Sequence, residues 1–401
     1  MATLQKSTVL LMSAAAGIAV ANPYYSQSIL QEIADFCAVS VGEAGLIPAL
    51  SVAGYGAGLF FLTPLGDRMD RRRLILTTQA LLVAVLIAMT LATSYWQICL
   101  LAFFTGSLSI TAQLIIPMAA TLDAAGRSKN IGLIVSGLLT GMLAARAVSG
   151  YIATLLSWQY VYGVSALLVT ATSTLLYFRL PGIHQRFEGN YTALLQSAVH
   201  QLQRFSELRL RALLGALIFA LFCSFWTTLT LHLGGAPFHY GADTIGLFSF
   251  IGIAGAATTL LFGKIIRPDN IDALRMITVS LIAASVLILL FFPLSVYALI
   301  AAVVLLDMGV QATQLNNLST IYQLDDKAHS RINTIYMTTC FAGGGLGTLT
   351  SLACWNHGGW TTVTWQLMIL SLAILIVTSR ICTKENSPLP IPPLPKITPI
   401  P

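Results

Sequence analysis

Charge is what this sequence has least of. Only 9% of its 401 residues are Asp, Glu, Lys or Arg, whereas 56% are hydrophobic. A soluble domain is roughly 25% charged and about 45–50% apolar, so a water-soluble fold of this length would lack the charged side chains to cover its core. The shortage excludes soluble enzymes, coiled coils and disordered regulators, and it predicts an all-α membrane protein with many spans.

Cysteine and histidine are also scarce, and neither is arranged as a set of ligands. The six cysteines form no CxxC pair, which favours small buried thiols over a disulfide or zinc framework. GxSxG, HExxH, GxxxxGK[ST] and GxGxxG motifs are missing. We therefore expect no enzyme, no metal, no cofactor and no nucleic-acid partner, and an ion gradient rather than ATP as the source of energy.

Long apolar runs dominate what is present. A bilayer core of ~30 Å needs ~20 helical residues, and twelve runs reach this length without the alternation of membrane strands. The predicted spans 1 to 12 are 7–30, 44–65, 74–93, 96–121, 131–154, 159–178, 211–231, 244–262, 273–292, 295–320, 332–354 and 361–379.

Basic residues mark one face of this predicted bundle. Every Lys and Arg except Arg146 precedes span 1 or follows an even-numbered span. By the positive-inside rule this face and both termini are cytoplasmic, which predicts a multi-pass protein of a bacterial inner membrane. An alternative for the start is a signal peptide, because Lys6, an apolar stretch and the triplet at 19–21 resemble a cleavage site.

The two halves of the sequence echo each other. Asp123 matches Asp325 and Trp158 matches Trp360, both at an offset of 202 residues. Colinear matches near half the chain length predict two six-helix units in parallel orientation, a known transporter architecture. The predicted divisions are an N-terminal bundle (1–180), a linker with an amphipathic segment (181–210), a C-terminal bundle (211–380) and a proline-rich disordered tail (381–401).

The loop between spans 2 and 3 carries a family resemblance. Its sequence from residue 63 to 72, TPLGDRMDRR, resembles the GxLADRxGRR signature of the major facilitator superfamily, with Thr63 and Asp70 in place of both glycines. Motifs in spans 10 and 11 further resemble a bacterial subgroup related to drug and sugar exporters, many of which have no assigned substrate. The matching positions are Leu65, Asp67, Arg68, Arg71 and Arg72.

The resemblance implies two pseudo-symmetric six-helix bundles that transport by alternating access. The expected activity is proton-coupled export of a small drug-like or sugar-like solute by a monomer in the lipid bilayer. Proton-coupled uptake and a non-transporting carrier-like protein remain alternatives, as does a passive channel.

The resemblance also suggests roles for the loop and for glycines. Asp67, Arg68, Arg71 and Arg72 would form a conformational latch in which Asp67 faces the start of span 11; a solvated, topology-setting charge cluster is the alternative. Glycines at small-xxx-small spacing would pack one bundle on the other, because spans 2 and 11, and spans 5 and 8, meet between halves in the family; packing within a half is the alternative. These glycines are Gly54, Gly58, Gly137, Gly141, Gly252, Gly343 and Gly347.

Two charged residues lie within predicted spans. An ionisable residue at such a position indicates, by default, a functional role. Asp307 shares one face of span 10 with Gln311 and Gln314, so it could bind and release the coupling proton beside a polar stripe. Arg146 in span 5 could hold an anionic substrate or pair with Asp307, which would then be permanently ionised.

Polar and aromatic residues in spans 1, 4, 7 and 10 complete the predicted cavity, because these spans line the central cavity in the family. Pro23 is expected to kink or interrupt span 1 and to free carbonyl groups there. Each candidate could instead serve bundle packing. The candidates are Asn22, Tyr24, Tyr25, Gln27, Gln113, Trp226, Thr227, Asn316 and Asn317.

Overall fold

The computed structural model describes residues 5–123, 126–182, 190–251, 271–325 and 328–385, and the regular structure in these ranges is helical. The helices up to the linker are α1 (Lys6–Ser28), α2 (Leu30–Cys37), α3 (Val41–Ala44), α4 (Leu46–Phe61), a 3₁₀ turn (Thr63–Asp67), α5 (Arg71–Thr90), α6 (Tyr95–Leu108), α7 (Thr111–Leu122), α8 (Arg127–Leu155) and α9 (Trp158–Arg179). The helices from the linker onward are α10 (Tyr191–Arg204), α11 (Ser206–Gly234), α12 (Ala242–Ile251), α13 (Ile271–Phe291), α14 (Val296–Ile321) and α15 (His329–Glu385).

Ten helical stretches in the described ranges are long and apolar enough to cross a membrane. The last runs from Arg331 to Thr383, which at 1.5 Å per residue would be about 80 Å long, far more than a bilayer core. It breaks at Gly358 and at Gly359, whose φ of 61° suits glycine, so it contains spans 11 and 12. Span 8 begins as α12, and its remainder lies outside the described residues.

Span 4 differs from the sequence prediction of one continuous helix. It is divided into α6 and α7 at Ser109 and Ile110. The Ser109 hydroxyl donates to the Thr105 carbonyl oxygen at 2.6 Å, and such bonds to the preceding turn bend membrane helices. The apolar run could not show this break because both residues are compatible with a membrane helix.

Each half of the chain has its own apolar core. Ile75, Leu82 and Ile115 are fully buried in the first half, and Leu221 and Val286 are fully buried in the second. The amphipathic segment between the halves forms α10, as its pattern predicts. The boundaries of the two bundles stay a prediction, and the proline-rich tail lies outside the described residues from residue 386 onward.

The prediction that small-xxx-small glycines pack the two halves together is wrong for the described pairs. A Cβ at Gly54 would lie 2.0 Å from the Phe103 carbonyl oxygen, which belongs to the same half. Such spacing allows close backbone approach at any helix crossing, so it does not identify the partner helix. Within their own halves, Gly58 faces Ser107, Gly137 faces Ser13, Gly141 faces Gly17, Gly343 faces Ala216 and Gly347 faces Ala220. Gly252 lies outside the described residues.

Other glycines form the contact between the halves. Gly246 of α12 approaches the backbone of Arg146 and Ala147 in α8, with a virtual Cβ 2.7 Å from the Arg146 carbonyl oxygen. The remaining contacts pair Gly150 with Ala242, Gly45 with Leu352, Gly56 with Phe341 and Gly345 with Ala53. Helices α8 and α12, and helices α4 and α15, therefore meet between halves as expected, but through different glycines.

The end of the molecule opposite the basic loops is closed by apolar contacts between halves. Leu30, Ala34 and Ala44 of the first half cluster with Leu231 and Leu352 of the second. We call this the opposite end, and we call the end that carries the Arg68–Arg73 loop the basic end. A small cavity of about 100 Å³ lies at the opposite end, between α2 of the first half and α11 and α12 of the second.

Candidate functional site

Arg146 is the centre of a buried polar cluster between the two halves. Its side chain, which is 2% exposed, donates from Nε to Gln27 Oε1 at 2.7 Å. Its guanidinium carbon lies 4.3 Å from the centre of the Trp226 ring and 5.2 Å from that of Tyr24. Aromatic faces stabilise a desolvated guanidinium, so α1 and α11 hold this cation in a fixed position.

Asp307 approaches the same cluster from α14. Its side chain is 2% exposed, and its charge interacts with that of Arg146 and with the nearby Trp226 indole. No N–O contact within 4.0 Å joins Arg146 to Asp307 in the described structure. We call Tyr24, Gln27, Arg146, Trp226 and Asp307 the central cluster.

The central cluster has polar atoms that no described group satisfies. Arg146 Nη1 and Nη2 and Asp307 Oδ2 are buried without hydrogen-bond partners among the described residues. Each unmade bond of this kind costs about 1–3 kcal/mol, and more for charged groups. A hydroxyl group is complementary to this arrangement, because it can accept from the Arg146 guanidinium while donating to the Asp307 carboxylate.

The structure contradicts the cavity role predicted for Asn22 and Tyr25. Pro23 cannot donate to the Ala19 carbonyl oxygen, and Asn22 Nδ2 donates to it instead at 3.1 Å, so α1 continues through the proline. Asn22 Oδ1 accepts from Ser165 at 2.8 Å. Asn22 therefore takes up the Ala19 carbonyl oxygen that Pro23 leaves without a donor, and it links α1 to α9.

Tyr25 lies on the same face of α1 as Asn22. Its ring packs edge-on against Tyr162 of α9, with 6.3 Å between centroids. The central cluster instead uses Tyr24 and Gln27, which lie on the face of α1 that meets Arg146. The sequence placed all four residues near the cavity but did not show which face of α1 points inward.

The polar residues on α14 divide into two groups. Asp307 belongs to the central cluster, while Gln314 accepts from the Tyr336 hydroxyl at 2.8 Å and Asn317 donates to the same hydroxyl at 3.3 Å. Gln311 lies between these groups and is partly exposed. In the first half, Gln113 of α7 lies beside the Tyr55 hydroxyl. The predicted stripe is thus present, although Asn317 and Gln314 bind Tyr336.

The described contacts of the predicted latch lie within the first half. Arg71 pairs with Asp67 at 2.8 Å and donates to the Gly66 carbonyl oxygen at 3.1 Å. Arg72 donates to the Tyr177 carbonyl oxygen of α9, and Arg68 is exposed. The side chains at residues 329 and 330, where α15 begins, lie outside the described set, so the contact of Asp67 with span 11 stays a prediction.

Comparison with known sequences agrees with this architecture. A sequence model described as Major Facilitator Superfamily matches residues 7–348. The uncharacterized transporter YgaY of Escherichia coli O157:H7 is 37% identical over 378 residues, covering 94% of this chain and 96% of YgaY. A probable sugar efflux transporter of Helicobacter pylori strain G27 is 23% identical over 346 residues, with 85% and 86% coverage.

Solved structures share the fold at low sequence identity. The nucleoside transporter NupG superimposes with a TM-score of 0.74 at 13% identity, covering 93% of this chain and 99% of NupG. The human organic anion transporter MFSD10 gives a TM-score of 0.70 at 15% identity, with coverage of 92% and 98%. At these identities the likeness shows the fold alone.

Proposed function

Because this chain belongs to the major facilitator superfamily, it is a multi-pass membrane transporter, and we propose that it exports a small sugar-like solute coupled to proton entry. Transport by alternating access would be its whole activity, performed by a monomer without a catalysed reaction. The basic end would face the cytoplasm of a bacterial cell, as the distribution of Lys and Arg favours.

The observation that carries this proposal is the unsatisfied pair of charges between the halves. Arg146 belongs to the first half and Asp307 to the second, and both present buried polar atoms without partners. A solute hydroxyl bound to both residues would hold the halves together around it. The name of the Helicobacter relatives, which mentions sugar efflux, supports a hydroxyl-rich solute.

Proton coupling would follow from competition at Asp307. The ionised carboxylate accepts a hydrogen bond from the solute and attracts Arg146. A proton arriving from the outer side neutralises the carboxylate, weakens both interactions and releases the solute. Return to the cytoplasmic side and loss of the proton would restore the binding form. Solute and proton therefore alternate at one carboxylate, which is the requirement for antiport.

A thermal-shift screen of sugars, antibiotics and organic acids identifies the solute class. Proteoliposomes loaded with radiolabelled glucose or lactose then test coupling under an imposed proton gradient. We expect Asp307→Asn to abolish gradient-driven movement while weakened solute exchange persists, because the amide oxygen still accepts a hydrogen bond from the solute. The exposed Asp243→Asn should resemble wild type. Undiminished uphill transport by Asp307→Asn would refute the proton role, and stabilisation by antibiotics or organic acids alone would refute the sugar-like class.

A further inference from the structure

An apolar groove of about 460 Å³ lies between α4 and α15 and opens on the side of the bundle. The first half contributes residues between Leu46 and Phe61, and the second half contributes residues between Thr338 and Leu349. Thr338 is the only lining side chain with a polar atom, and its hydroxyl has no hydrogen-bond partner among the described residues. Phe61, Leu346 and Leu349 of its lining are exposed apolar residues on two membrane spans, which is typical of a surface that faces lipid.

The size of the groove selects its occupant. From Leu46 to Phe61 the helix rises about 22 Å, whereas one leaflet of the bilayer core is about 15 Å thick. The groove is therefore long enough for an acyl chain of one leaflet. A single hydrocarbon chain is narrow and flexible enough to enter, and lipid is the solvent on this side.

An exposed arginine follows the groove-lining part of the first half in the chain. Phe61 is followed by the 3₁₀ turn and then by Arg68, which is exposed and forms no ion pair in the described ranges. The Tyr191 hydroxyl of α10 donates to the Phe61 carbonyl oxygen, which brings the amphipathic linker helix to the same place. An exposed arginine seven residues beyond the last groove residue of the first half matches an anionic headgroup attached to an acyl chain.

We propose that the groove binds one acyl chain of an anionic phospholipid from the leaflet at the basic end, and that Arg68 binds its phosphate. The inference does not depend on the transported solute or on proton coupling. Because both halves line the groove, its width changes whenever they rock against each other. A lipid that fits the groove therefore stabilises the conformation seen here by mass action.

Lipid retention measures this site directly. The full chain is reconstituted in nanodiscs of phosphatidylglycerol or of phosphatidylcholine, delipidated in mild detergent, and weighed by native mass spectrometry. We expect one tightly retained phosphatidylglycerol and no retained phosphatidylcholine. Ala57→Leu, which fills the groove, and Arg68→Gln should each lower the retained fraction at least tenfold.

Matched variants control for general effects. Arg73→Gln removes an exposed arginine of the same loop, and Ala171→Leu enlarges an exposed residue of α9; both should retain lipid like wild type. Ala342→Leu fills the groove from the other half if Ala57→Leu fails to fold. Equal retention of both lipids, unchanged retention in Arg68→Gln, or unchanged retention in a folded groove-filling variant would overturn the proposal.

Discussion

At the scale of single residues, the account depends on how a guanidinium is stabilised within a membrane span. Arg146 is compensated by two aromatic faces and by Gln27, not by a direct ion pair. Neutral partners leave its charge intact and leave Nη1 and Nη2 free for a ligand. A direct bond to Asp307 would have paired both charges, and fewer polar atoms would then remain for a solute to bind.

Asn22 and Gln27, both on α1, should differ in how truncation affects solute binding. Asn22→Ala removes the partner of the Ala19 carbonyl oxygen and of Ser165, so it should destabilise the protein by about 1–3 kcal/mol and leave solute binding unchanged. Gln27→Ala leaves the buried Arg146 Nε without its partner, so it should also lower the melting temperature, but it should in addition weaken solute binding, because it frees Arg146 to move. The solute-induced thermal shift separates the two, and an equal loss of that shift in both variants would contradict the assignment.

Glu32, at the opposite end, should make stability depend on pH. Burial raises the pKa of its carboxyl group and Asp35 adds repulsion, while Oε2 is buried without a hydrogen-bond partner. An acid whose pKa is higher in the folded state stabilises that state at low pH, and this contribution is lost as the pH rises through the folded pKa. Glu32→Gln should therefore melt above wild type at neutral pH, with a smaller difference in acid. A parallel shift at all pH values would contradict this.

Sequence analysis named every member of the central cluster as a candidate, but it could not separate Tyr24 and Gln27 from their neighbours Asn22 and Tyr25. Arg146 and Asp307 were found because charge within an apolar run is rare. Asn22, Tyr24, Tyr25 and Gln27 could not be sorted, because α1 is buried on all sides near Pro23. A helix without an exposed face has no amphipathic pattern from which its rotation can be read.

At the scale of elements, Asp70 explains one departure from the family signature. It is the N-cap of α5, where its carboxylate accepts from the Arg72 backbone N–H at 2.9 Å. Its φ of −58° is ordinary for any residue, so the turn does not need glycine here. Aspartate is among the preferred N-cap residues, and the substitution therefore preserves the start of α5.

Two glycines distinguish contacts within a half from contacts between halves. Gly141→Ala places a methyl group against the backbone of Gly17 in the same half, and Gly246→Ala places one against Arg146 and Ala147 across the interface. Overpacking of this kind typically costs about 1–3 kcal/mol. We expect Gly141→Ala to lower the melting temperature, and Gly246→Ala to open the opposite end with less loss of stability.

Spin labels at Gln31 and His357, which are exposed on the two halves at the opposite end, report this opening. Their distance should increase in Gly246→Ala and stay unchanged in Gly141→Ala. The reverse pattern would show that the two glycines have been assigned to the wrong contacts. The sequence predicted which helices meet between halves from the family resemblance, but the glycine spacing alone could not identify their partners.

At the scale of the whole molecule, the sequence predicted the architecture well. Membership of the superfamily and the all-helical membrane fold are confirmed. The apolar runs and the internal repeat carried the prediction of the fold, because both are properties of the entire chain, and the motif at residues 63–72 carried the prediction of the family. The break in span 4 and the rotation of α1 depend on local side-chain bonds, which composition does not encode.

The central claim is that the two halves pivot about the central cluster. Electron–electron distance measurements test it most directly, on the pair Gln31 and His357 at the opposite end and on the exposed pair Arg73 and Arg380 at the basic end. We predict two distance populations at each end. When acidic buffer replaces alkaline buffer, the longer distance should gain population at one end and lose it at the other. This response should be absent in Asp307→Asn. A single unchanged distance at both ends would contradict the account.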